Sequence, residues 1–161
     1  MSKKMRFGRT GLLAALAFGL MTAYAADKMV DKPLPAPDEK PADMTKPVQV
    51  FIMMGQSNMF GMGRVGPQDK QGTLLHAVKE KGRYPHLVDD QGNWTQRKDV
   101  RYVQVMQRRG NMQKLHNEWL TVKGGKIGPE VQFGHIMGHE LEKPVLLLKS
   151  CVGNRSLGWD L

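Results

Sequence analysis

Ser57 stands in Gly55-Gln56-Ser57-Asn58-Met59, directly after the apolar run Val48-Gln49-Val50-Phe51-Ile52-Met53-Met54. A hydroxyl at a strand-to-loop junction, with a glycine close before it to allow a tight turn, meets the mechanical requirement of a nucleophile elbow. The chemistry would be acyl transfer: a base takes the serine proton, and nearby donors hold the oxyanion that forms. The spacing is G-x-S-x-M, not the G-x-S-x-G of the familiar elbow motif. On spacing alone an ordinary turn serine is the better reading.

Five histidines, His76, His86, His116, His135 and His139, could supply a base, but sequence distance places none of them beside Ser57. Surface or structural roles fit them better. His135 and His139 lie four apart on an expected helix and would share a face, as a metal-binding pair can. The residues between them are Ile136-Met137-Gly138, so the H-E-x-x-H zinc pattern is not met. The single cysteine, Cys151, forms no intrachain disulfide and binds no structural zinc by itself. Twelve methionines invite a copper reading, yet Met53, Met54 and Met137 sit in apolar segments where filling a core is their ordinary use. Arg97, Lys98, Arg101, Arg108, Arg109, Lys114, Lys123 and Lys126, with Trp94, Tyr102 and Trp119 nearby, could bind a polyanion; a solvated face is the plainer reading.

These groups need a scaffold, and 161 residues with 40% hydrophobic and 24% charged side chains suffice for one domain. Eighteen glycines and nine prolines without a fixed period exclude collagen, and no solenoid repeat is visible. Residues 48–54, bounded by Pro47 and Gly55, read as a buried strand. Residues 61–98 read as a long loop region with a short helix near Leu74 to Lys81. Val100 to Met106 alternates as a half-exposed strand, and residues 107–126 stay undecided. Val131, Phe133, Ile136, Met137 and Leu141 recur at helical spacing, with Pro129 suited to the first turn. Pro144 to Lys149 is a second continuous apolar strand. Two buried-type strands and an amphipathic helix imply an α/β domain with a parallel sheet, whose function gathers beyond the carboxyl ends of the strands.

The formal charge is +9, but four of the 24 basic residues (Lys3, Lys4, Arg6 and Arg9) precede residue 26, which leaves 20 against 15 acids. Those four belong to a basic segment followed by the apolar run 11–21 and by Ala23-Tyr24-Ala25. This is the pattern of a secretory signal peptide over residues 1–25, too short in its apolar part to span a bilayer. Cleavage would leave 136 residues and no membrane span, and would place the protein in the periplasm or outside the cell. Residues 26–46, with four prolines and alternating charges, read as a linker. Export makes nucleic acid an unexpected partner.

Val50 to Met59 with Gly61, Ile127-Gly128-Pro129-Glu130 with Phe133-Gly134, and Pro144 to Trp159 occur in one order. Together they resemble three blocks of the carbohydrate acetylesterase (sialate O-acetylesterase-like) group within the SGNH hydrolase superfamily, over roughly residues 47–161. The resemblance implies a three-layer α/β/α sandwich with a parallel sheet. It implies that Ser57 attacks the carbonyl of an O-acetyl group on a sugar, with no metal or organic cofactor. Gly153 and Asn154 would form the candidate oxyanion-hole region, joined by the Ser57 backbone N–H; the group more often has two glycines there, and asparagine tolerates positive φ. The group's base and orienting acid form a D-x-x-H arrangement, which these residues lack, so the 161 residues are expected to be the N-terminal part of an incomplete domain. Two alternatives stay open: a non-catalytic carbohydrate-binding protein on the same fold, and a basic cell-surface module binding polysaccharide. The sequence sets neither the particular acetylated sugar nor the oligomeric state.

Overall fold

A computed structural model describes residues 33–108 and 110–153. The expected signal peptide, 1–25, and Asn154 lie outside the described residues. The strand expected over 48–54 is β1, Gln49–Gly55, and it leads into α1, the four-residue helix Ser57–Phe60. A two-residue strand β2, Gly63–Arg64, follows. The short helix expected near 74–81 is a single wide turn, His76–Glu80. Beyond it lie β3, Gln96–Arg108, β4, Asn111–Thr121, and β5, Lys126–Ile127. Helix α2, Glu130–Glu140, has Pro129 (φ −67°) at its N-cap, and β6 is Val145–Cys151.

The main sheet runs β1-β6-β3-β4, and β2 pairs with β5 in a separate two-stranded ribbon. β6 is parallel to both β1 and β3, whereas β4 is antiparallel to β3. The sheet is therefore mixed, which corrects the all-parallel expectation. Only two residues separate the paired Arg108 and Asn111, and Gly110 takes φ +81°. So short a connection can only fold back into an antiparallel neighbour, because a parallel one needs a crossover.

Side chains alternate across the pleat. Val100, Tyr102, Val145 and Leu147 are buried, together with Met53 and Leu120, in one core cluster. Helix α2 lies on that face: the Phe133 ring meets Phe51 edge-on at 5.1 Å. A Cβ on Gly134 would come within 2.9 Å of Leu147 Cδ1, so glycine sets how closely the helix approaches the sheet. A second cluster, Val65, Leu87, Val122 and Val131, holds the segment between β2 and β3.

The opposite face differs. Val50, Ile52 and Met54 of β1 are exposed, so β1 is buried on one side only and the expectation of a fully buried strand is corrected. Among the described residues the fold is α/β with two layers, and the third layer of the expected sandwich is not seen. Residues 33–46 of the expected linker form no helix or strand. They are nonetheless tied to the domain, through Ala42 N–H to the Lys98 carbonyl (3.3 Å) and Lys46 Nζ to the Glu142 carbonyl (2.8 Å). No helix among the described residues is long and apolar enough to cross a membrane.

Candidate active site

The parallel pairing of β1 with β6 brings their carboxyl ends together, with Gly55 opposite Cys151. Val152 N–H then donates to the Gly55 carbonyl at 3.2 Å. The chain leaves β1 through Gly55 and Gln56, and Ser57 is the exposed first residue of α1. Gly55 has φ +156°, and a Cβ there would lie 2.8 Å from Met59 Cβ. Met59 can fold back over the strand end because residue 55 has no side chain, and it packs against the core. Phe60 N–H to the Gln56 carbonyl (2.8 Å) and Gly61 N–H to the Ser57 carbonyl (3.1 Å) close the turn. Ser57 is not buried in the core. Gly153 is exposed in the turn after β6, beside the loop that carries Ser57.

Three of the five histidines have hydrogen-bond partners away from Ser57. His76 Nδ1 meets the Gln68 carbonyl at 3.1 Å, His86 Nε2 meets Gln132 Oε1 at 3.0 Å, and His116 Nδ1 meets Glu118 Oε1 at 2.7 Å. His135 is buried on α2 with its ring 5.0 Å from that of His86, and burial, then the neighbouring His86 and Arg97, push its pKa down to about 3. His135 is buried and His139, near the end of α2, is exposed. No group of three or more metal-binding side chains is found among the described residues. Cys151 is buried, and desolvation raises its thiol pKa, which keeps it a poor nucleophile.

The basic stretch is not one solvated face. Arg97 is buried and bridges Asp99 (Nε to Oδ1, 2.8 Å) and the His135 carbonyl (3.2 Å). Arg101 is hydrogen-bonded to Asn117, and Lys123 is paired with Glu118. Burial opposes ionisation of Glu118, but hydrogen bonds from Lys123 and His116 outweigh it and hold the carboxyl below its usual range. Glu118 and His116 line a recess of about 100 Å³ together with Phe60, Gly61, Tyr102 and Gln104, just behind the turn that bears Ser57.

Sequence reasoning missed one buried ionic contact at this site. Lys149, at 0% exposure on β6, places Nζ 2.6 Å from Glu130 Oε2 at the start of α2 and 3.0 Å from the Phe60 carbonyl. The available signal was a lysine closing an otherwise apolar strand, which calls for a buried partner.

An exposed serine thus stands at the carboxyl end of an α/β sheet, next to the turn from the neighbouring parallel strand. Residues 47–160 match the family model described as "Carbohydrate esterase, sialic acid-specific acetylesterase", and the chain belongs to that family. Neither the curated proteins nor the solved structures yield a match.

Proposed function

We propose that this protein is an exported serine esterase that removes O-acetyl groups from carbohydrate, working in the periplasm or outside the cell. Ser57 Oγ attacks the acetyl carbonyl carbon while a base takes its proton. The sugar oxygen leaves with a proton, and water then hydrolyses the acetyl-serine, releasing acetate. The backbone N–H of Ser57 has no partner within its helix, which suits it to the oxyanion, and the turn at Gly153 and Asn154 would supply a second donor. The exposed position of Ser57 beside the β6 turn, in a chain of the carbohydrate esterase family, carries this reading. None of the five histidines is hydrogen-bonded to Ser57 among the described residues. The open face formed by Val50, Ile52 and Met54 supports a further layer supplied by segments outside the described residues, since parallel sheets are ordinarily covered on both faces.

The test is acetate release from an O-acetylated sugar by the protein as its gene encodes it, with mass-spectrometric mapping of a fluorophosphonate adduct. The adduct is expected on Ser57, and Ser57→Ala is expected to abolish both adduct and release. Release that survives Ser57→Ala overturns the assignment.

A further inference from the structure

The turn that begins at Ser57 ends at Phe60, whose carbonyl belongs to the helix end that finds no partner within the helix itself. Here the Lys149 ammonium, arriving from the sheet below, donates to it at 3.0 Å. The same Nζ donates to Glu130 Oε2 at 2.6 Å and lies 5.5 Å from the centre of the Tyr102 ring. Glu130 Oε1 in turn accepts the Gly128 N–H at 2.9 Å. Gly128 and Gly61 are in close contact, since a Cβ on Gly128 would fall 3.1 Å from Gly61 Cα, 3.1 Å from Lys149 Nζ and 2.5 Å from Glu130 Oε2. An unbroken polar chain thus runs from Gly128 through Glu130 and Lys149 to the last carbonyl of the Ser57 turn. Each link leaves no room for a side chain at residue 128.

Burying this pair is not an efficient route to stability, because a well-packed apolar pair of similar volume often does as well or better. What the pair supplies, and an apolar pair cannot, is a directed donor to one carbonyl. We propose that Lys149 and Glu130 are positioning residues for the nucleophile, fixing the far end of its turn so that the Ser57 hydroxyl is held in one place. This rests on the reading of Ser57 as the nucleophile. Displacing a reacting group by about 1 Å costs on the order of 100-fold in rate.

The experiment compares the natural protein with Lys149→Met, Glu130→Gln and the double variant K149M/E130L, using kcat and KM on an acetylated sugar together with amide hydrogen exchange. Lys149→Met is expected to lower kcat about 100-fold with KM within about twofold. It should also speed exchange at the Gly61 amide about tenfold while the β3 amides keep their protection. Glu130→Gln keeps one acceptor oxygen, enough for Lys149 but not also for the Gly128 N–H, and is expected to lose less than Lys149→Met does. The double variant is expected to melt no lower than the natural protein and still show the kcat loss, which separates placement from stability. A folded double variant with natural kcat and natural exchange at Gly61 overturns the proposal. If the natural protein releases no acetate, the nucleophile reading fails by itself, and exchange at Gly61 alone decides whether the pair holds the turn.

Discussion

Gly55 and Val152 are joined by a backbone hydrogen bond of 3.2 Å, one residue beyond the last rung of the β1–β6 ladder. It ties together the starts of two loops that are far apart in sequence. One loop carries Ser57 and the other Gly153, so the relative placement of a hydroxyl and a neighbouring backbone turn is set by sheet register, which is stiff. On the far side, Lys149 holds the end of the same turn through the Phe60 carbonyl.

Gly55→Ala is expected to disturb this site without removing any polar group. The new methyl would lie 2.8 Å from Met59 Cβ, so the strand end or the turn must shift to admit it. Overpacking of this kind costs about 1–3 kcal/mol. Urea denaturation should show a loss in that range, and fluorophosphonate labelling of Ser57 should slow at urea concentrations where the variant is still folded. Unchanged labelling would mean that the turn accommodates a side chain.

His135 makes the fold acid-sensitive. Burial first, then the charges of His86 and Arg97, hold its pKa near 3 in the folded protein, against about 6.5 in an unfolded chain. Between those values the unfolded chain takes up a proton that the folded one refuses. Stability is therefore fully present above pH 6.5 and is lost as pH falls towards 3, by up to about 1.4 kcal/mol per pH unit. His86, also shifted downward, chiefly by burial, adds to the same slope. Melting temperatures measured from pH 7 to 4 should fall steeply for the natural chain and less steeply for His135→Leu. Parallel curves would exclude His135 as the sensitive group.

The sequence made the scaffold legible wherever a pattern had one cause. β1 and β6 are unbroken apolar runs, and α2 has both its helical spacing and Pro129, so each is found within a residue or two of its expected bounds. β4 was not legible: Asn111 to Thr121 is mostly polar because much of it faces water, and only its pairing with β3 makes it a strand. Burial in β1 was misjudged because a continuous apolar run looks the same whether one face or both are covered.

At the site, Ser57 was visible as a residue that follows a strand, but its surroundings were not. Glu130 and Lys149 are 19 positions apart, and a lone lysine at the end of an apolar run carries no mark of its partner. The basic stretch misled for the reverse reason. Charge counts along a segment ignore that Arg97 turns inward to Asp99 while Arg101 reaches across to Asn117 on the neighbouring strand.

The exposed apolar row Val50, Ile52 and Met54 predicts self-association of the polypeptide spanning residues 26–161. The row lies on β1, which is also the outer strand of the sheet, so backbone and side chains both invite another copy. Sedimentation velocity should show mass rising with concentration. Ile52→Lys, at a position 66% exposed, should suppress that association while changing stability by no more than about 0.5 kcal/mol. Persistent association in the variant would place the contact elsewhere.

The same polypeptide, residues 26–161, is expected to show no turnover of an aryl acetate. A serine hydroxyl is a weak nucleophile until a base takes its proton. His76, His86 and His116 direct a ring nitrogen to Gln68, Gln132 and Glu118 respectively. His135 is buried on α2 against the His86 ring with a pKa too low to serve at neutral pH, and His139 is exposed near the end of α2. Glu118 is paired with Lys123 and His116. Release of the aryl alcohol should therefore match buffer alone between pH 6 and 8. Turnover above that level, abolished by Ser57→Ala, would show that a group within these residues activates the serine. His116 would then be the first to substitute, because it lines the recess behind the Ser57 turn.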